Sequence, residues 1–110
     1  MLFRSATTTE QFSELFRRPG LLVEQIVSHG QTTPDDEWYD QSWDEWILLL
    51  SGSAELLIDG ESSPRSLIAG DSLLLPACCR HRVVSTATDQ PTIWLAVHHG
   101  NLPAAVPEKG

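Results

Sequence analysis

Trp38–Gly52 reads WYDQSWDEWILLLSG, and Glu45, with six residues between it and Gly52, heads the aliphatic run Ile47-Leu48-Leu49-Leu50. A short unbroken apolar run closed by a turn such as Ser51-Gly52-Ser53 predicts a buried strand over Glu45–Ser51. A carboxylate at the head of such a strand is unusual, because Glu is rarely buried without a partner. Left alone in an apolar site it would give up its charge. The stretch therefore predicts that something compensates Glu45: an ion, a ligand or a set of hydrogen-bonding neighbours.

A second stretch supplies a candidate. Gly70–His81, GDSLLLPACCRH, reads as a turn, a short apolar strand, a proline stop and then a histidine. Together the two stretches resemble the cupin superfamily, whose first motif is G-x5-H-x-H-x3-4-E-x6-G and whose second is G-x5-P-x-G-x2-H-x3-N. Glu45 and Gly52 match the end of the first; Gly70, Pro76 and His81 match the second. The resemblance covers roughly Leu21–His98. It implies an all-β, double-stranded β-helix (an RmlC-like jelly-roll barrel), with Glu45 and His81 as two of the four metal ligands of the family.

The departures are specific. The two motif histidines fall on Tyr39 and Gln41, the opening glycine on Thr33, the glycine after the proline on Cys78, and the final Asn on Ser85. As a metal set, Gln41, Glu45 and His81 would offer one amide oxygen, one carboxylate and one imidazole. Such a set suits harder ions better than Zn²⁺, Ni²⁺ or Fe²⁺. A divalent metal (Zn, Fe, Mn or Ni) is one expectation. The other is a metal-free polar cluster in which Glu45 accepts from Tyr39, Gln41 and His81, since buried polar groups find partners.

The chain has 110 residues, 41% hydrophobic and 20% charged, with 7 basic against 15 acidic residues and a net charge of −8. The length predicts one domain. The acidity argues against nucleic acid, whose phosphates are held by Lys and Arg, and against anionic membrane surfaces. No stretch approaches the roughly 18 apolar residues of a membrane span, and the N-terminus lacks an apolar signal core. A cytoplasmic protein is expected. Cys78 and Cys79 are adjacent, a spacing that strains a disulfide, and free thiols fit a reducing compartment. They read as small packing residues, with a thiolate role beside His81 as the alternative.

Residues 1–20 are expected to form an N-terminal helix segment. Thr8 and Gln11 fit a capping box, Phe12, Leu15 and Phe16 make one apolar stripe, and Pro19-Gly20 ends it. Residues 21–99 form the barrel. Strands are expected over Leu21–Ser28, Trp38–Gln41, Glu45–Ser51, Ala54–Ile58, Ser66–Ile68, Ser72–Leu75, His81–Ser85 and Thr92–His98. Residues 100–110 are a loose tail. Short strands between closely spaced turns mean a sandwich or barrel; the two motifs narrow that to a cupin.

Tyr39 and Gln41 share one face of their segment, and the motif spacing brings Glu45 and His81 toward them in the barrel mouth, a usual place for a ligand. Tyr39 and His98, on the face of Trp94 and Ala96, are the candidate proton-transfer groups. His29, at the end of the first strand, is a weaker histidine candidate. One or two of Trp38, Trp43, Trp46 and Trp94 are expected to floor a pocket. Three functions follow: a metal-dependent enzyme, a non-catalytic small-molecule binding or sensing module, or a structural cupin with a filled barrel. Apolar groups on both faces of Glu45–Ser51 and Thr92–Val97 exceed the needs of one small core, which predicts a homodimer.

Overall fold

The run after Glu45 becomes a central strand. The computed structural model describes residues 11–30 and 32–103. Among these, eight strands run in order: β1 Gln11–Arg18, β2 Leu21–Ser28, β3 Asp44–Ser51, β4 Ser53–Ile58, β5 Arg65–Ile68, β6 Ser72–Leu75, β7 His81–Thr86 and β8 Thr92–His99. Five form one antiparallel sheet, β1-β2-β8-β3-β6, and three form the other, β5-β4-β7. Between them lies one core, with Ile26, Ile47, Leu49, Leu75, Trp94 and Ala96 from the larger sheet and Ala54, Leu56 and Leu67 from the smaller. This is the expected jelly roll.

Strict alternation sets the inner wall. Glu45, Ile47 and Leu49 are buried on β3, and Thr92, Trp94, Ala96 and His98 on β8. The β3–β8 register pairs Glu45 with His98, Ile47 with Ala96 and Leu49 with Trp94, so these side chains share one face. Gly52 closes β3 because nothing larger fits. Its φ is +86°, and a Cβ there would lie 2.7 Å from Thr92 Cα and 2.8 Å from the Pro91 carbonyl oxygen. The motif glycine thus marks a point where two backbones nearly touch.

The helix expected over Thr8–Arg18 is corrected. Its first residues lie outside the described part, and Gln11–Arg18 is strand β1, paired antiparallel with β2. A helix this short is marginal in water, whereas the β2 edge offers a full row of backbone groups to pair. A bulge between Glu14 and Phe16 puts Phe12 against the core while leaving Phe16 largely exposed. The short strand expected over Trp38–Gln41 reduces to a single bridge, Tyr39 with His81. The expected loose tail lies outside the described residues after Pro103. Among the described residues, no helix is long and apolar enough to cross a membrane.

Candidate functional site

The loop replacing the two-histidine strand is sewn down at several points. Thr33 N–H donates to the Val83 carbonyl and Val83 N–H to Thr33 Oγ1, both at 2.9 Å. Tyr39 and His81 exchange backbone hydrogen bonds of 2.7 and 3.1 Å, and Cys78 N–H donates to the Gln41 carbonyl at 2.7 Å. Ala77 N–H adds a bond of 2.8 Å to Asp44 Oδ1. Thr33, at the motif's glycine position, is therefore a buried latch between loop and β7.

These anchors aim the polar side chains. Gln41 donates from Nε2 to Glu45 Oε1 at 2.9 Å, one of the bonds expected of a self-satisfied cluster. Glu45 is only 2% exposed. His81, buried at the start of β7, meets the Cys79 carbonyl with Nδ1 at 2.9 Å. A carbonyl oxygen only accepts, so Nδ1 carries a proton. The Tyr39 ring stands edge-on to the His81 ring, centroids 5.3 Å apart.

Tyr39, Glu45 and His81 line a common cavity of about 50 Å³. Its other polar lining is Ser28, Thr32 and Thr33, and the remainder is apolar, from Phe12 and Ile26 to Val83 and Trp94. Trp94 is the tryptophan that lines it, with its indole N–H on Ser28 Oγ at 3.2 Å. Trp43 packs elsewhere, Trp46 is on the outer sheet face, and Trp38 lies beneath Arg80 and Arg82.

Gln41 touches Glu45 without lining the cavity, and His98 does not line it either. His98 is fully buried behind Glu45, with both ring nitrogens engaged. Trp43 Nε1–H donates to Nδ1 at 2.9 Å, and Nε2 meets Glu24 Oε1 at 2.9 Å. Since Nδ1 is an acceptor here, Nε2–H is the donor to the carboxylate. That arrangement holds the ring in place from two sides. Sequence reasoning missed both partners of His98. The alternation of β2 gave a signal, because Glu24 occupies the inward row with Leu22 and Ile26. His29 and His99 are exposed.

Cys78 and Cys79 are free thiols. Burial, reinforced by nearby Glu61, pushes the Cys79 thiol upward, which makes it a poor thiolate near neutrality. Cys78 is exposed and sits at φ +63°, the conformation that the motif glycine would adopt without strain.

The donor set can be tested against the metal of the fold family. Among the described residues, no three His, Cys, Asp or Glu side chains gather closely enough to hold an ion. Glu45 and His81 are two such ligands, and Gln41 turns an N–H, not its oxygen, toward Glu45. Catalytic zinc sites commonly use three protein ligands of the His, Cys or carboxylate type. The residues present do not fit a tightly held transition ion.

Comparison with known proteins agrees with the motifs. The cupin domain family model matches residues 23–98. A crystal structure of a candidate mannose-6-phosphate isomerase from Ralstonia eutropha is 44% identical, covers 88% of this chain and 90% of its own, and superposes with a TM-score of 0.82. An RmlC-like cupin from Shewanella frigidimarina (14% identity, 90% and 82% coverage, TM-score 0.67) shares the fold. So does the DMSP lyase DddQ from Ruegeria pomeroyi (23% identity, 87% and 49% coverage, TM-score 0.65). No curated protein matches the chain. With the motif glycines, the inward Glu45 and His81 and a family match over most of the barrel, the chain belongs to the cupin family.

Proposed function

We propose that this cupin is a small-molecule binding or sensing module that works without a resident metal, its ligand meeting Glu45 and His81 inside the barrel. The carrying observation is the cavity of about 50 Å³, in which Tyr39, Glu45 and His81 interrupt a largely apolar lining. A few placed polar groups in an apolar concavity are the usual make-up of a ligand site. Tyr39, on the lining, is the group placed to give or take a proton from a bound molecule; His98 acts from behind by fixing the inner wall.

Mannose 6-phosphate, suggested by the name of the Ralstonia relative, suits this cavity poorly. A cavity of roughly 150 Å³ is needed to take benzene, so a hexose phosphate far exceeds this space. Phosphate recognition also relies on Arg, Lys or aligned backbone N–H groups, and neither Arg nor Lys lines the cavity.

The partner we propose is a second copy of the chain. One cross-strand row spans the outer face of the larger sheet: Phe16, Val23, Val97, Trp46 and Leu74. Leu48 and Leu95 form a second, parallel row. Trp46 is 37% and Leu74 55% exposed, an apolar band of the kind that marks an interface. The free cysteines fit a reducing compartment, and we place the protein in the cytoplasm.

A fragment screen followed by NMR tests the binding reading. The expected result is a saturable shift of the Trp94 indole resonance, assigned with Trp94→Phe and unchanged by chelator. If no fragment of up to about six heavy atoms, the size of benzene, moves that resonance, the barrel is a filled structural core.

A further inference from the structure

We propose that loop 32–41 is a hinged strap that gates this cavity, its 33–37 half swinging off β7 while its 38–41 half stays fixed. The proposal rests on the reading of the cavity as a small-molecule site and adds how a molecule enters it.

The cavity is closed by its own wall. Thr33, Tyr39, Glu45 and His81 are all buried members of its lining. Thr32 is the exposed member, beside half-buried Phe12 and Val83, so the wall is thinnest there. Both Thr32 and Thr33 belong to the strap. Entry elsewhere would part hydrogen-bonded strands, whereas a loop held by few bonds opens locally at lower cost.

The two halves of the strap are held unequally. At the far end, Tyr39 and His81 exchange backbone hydrogen bonds of 2.7 and 3.1 Å, and the Gln41 carbonyl accepts from Cys78 N–H at 2.7 Å. Trp38 is pinned there too, with the guanidinium groups of Arg80 and Arg82 at 5.2 and 5.8 Å from its ring centre. At the near end, Thr33 holds Val83 by two bonds of 2.9 Å, one of them from its side chain. Between the ends stands an exposed turn in which Glu37 N–H donates to the Pro34 carbonyl at 3.0 Å. Asp35, Asp36 and Glu37 place three carboxylates on it, a charge that favours water.

Arg82 is the catch. His81 and Val83 face the cavity, so alternation along β7 sends Arg82 to the outer side. There its guanidinium donates to the Asp35 carbonyl and, at 3.1 Å, to Asp35 Oδ1. The Asp35 side chain is fully exposed and that of Arg82 mostly buried. An ion pair with one member in water is weak. In the closed strap Arg82 Nε is buried and meets no acceptor among the described residues. A buried donor left unmet is a standing cost, and water admitted on opening would meet it. Arg82 keeps its place over Trp38 when Asp35 lets go. The closed state is therefore held by two backbone-directed bonds and a weak catch, against an unmet donor and a turn that prefers water.

Amide hydrogen exchange on the full chain tests the hinge. Corrected for intrinsic rates, the Thr33 amide is expected to exchange at least tenfold faster than those of Tyr39 and of Leu49, whose N–H donates to the Asp71 carbonyl. Asp35→Ala removes the exposed half of the catch and lies outside the cavity lining. It should speed Thr33 about two- to fivefold, the range of a surface ion pair, and leave Leu49 unchanged. Thr33 protected as well as Leu49, or unmoved by Asp35→Ala, would overturn the gate. Dissolved xenon, which enters small apolar cavities, tests the link to the cavity, with the Trp94 indole resonance as readout. It is expected to give a saturable shift and an exchange rate that Asp35→Ala raises by a similar factor. A xenon exchange rate indifferent to Asp35→Ala would overturn the gate while leaving a small-molecule site in place. No xenon shift at all would remove the site and the gate together.

Discussion

Replacing His98 by Leu tests the claim that Trp43, His98 and Glu24 hold the inner wall together. Leu fills much of the imidazole volume, so the main effect is the loss of two hydrogen bonds, each 2.9 Å long. The Trp43 indole N–H would be orphaned in a residue 8% exposed, at a cost of about 1–3 kcal/mol. The Glu24 side chain, 12% exposed, would lose the donor to a mostly desolvated carboxylate, a loss in the roughly 1.5–3 kcal/mol range of bonds to charged groups. Part of that is recovered as Glu24 turns toward water and as Leu adds apolar burial. A net loss of about 3 kcal/mol is expected, which for a domain of this size lowers Tm by roughly 12–24 °C. Urea unfolding followed by tryptophan fluorescence measures it, provided that the slope with denaturant is unchanged. Glu24→Gln keeps an oxygen for the Nε2–H and should cost under about 1 kcal/mol, a neutral bond replacing a charged one. A His98→Leu loss below about 1 kcal/mol would refute the reasoning, because two buried partners cannot be orphaned so cheaply.

Three further outcomes are expected. Cys78→Gly should stabilise the fold by up to about 1 kcal/mol. It relieves roughly 1–2 kcal/mol of left-handed strain against about 0.4–1 kcal/mol of added unfolded-chain freedom; a lower Tm in a thermal scan would contradict the strain argument. Calorimetric titration with Zn²⁺ should give no heat with the natural sequence. Gln41→His should create micromolar binding, by adding an imidazole beside Glu45 and His81; tight binding by the unaltered chain would overturn the metal-free reading. Trp46→Glu should convert a dimer to a monomer in light scattering, since it places a charge within the apolar row. A monomeric parent protein at micromolar concentration would end that proposal.

The barrel was legible because two signals agreed. The aliphatic run after Glu45 and the Gly-Asp-Ser-Leu-Leu-Leu-Pro stretch each read as a strand from local pattern, and motif spacing fixed their relation. The N-terminal strand was not legible in the same way. Phe12, Leu15 and Phe16 have helical spacing, and a bulge after Glu14 shifts the strand alternation that would have separated the two readings. Only the open β2 edge decides it, and an edge is a property of the assembled sheet.

The site divides along a similar line. Glu45 and His81 were legible because each occupies a position fixed by its own motif, and both reach the cavity. Gln41, expected either as an oxygen donor to a metal or as a hydrogen-bond donor to Glu45, makes that bond to Glu45 through Nε2. Sequence gives the residue but not which end of an amide faces its neighbour; that depends on the fold bringing its amide against the acceptor oxygens of Glu45. His98 shows the same limit. Its inward position follows from alternation along β8, but its role depends on Glu24 and Trp43, whose positions in the chain lie far from it. Glu24 meets the imidazole through the β2–β8 register, and Trp43 does so from the residue before β3. A histidine on an inner wall is open to substrate only if neighbours leave a nitrogen for it. Here the fold assigns one nitrogen to an indole and the other to a carboxylate, whereas Glu45, His81 and Tyr39 line the cavity.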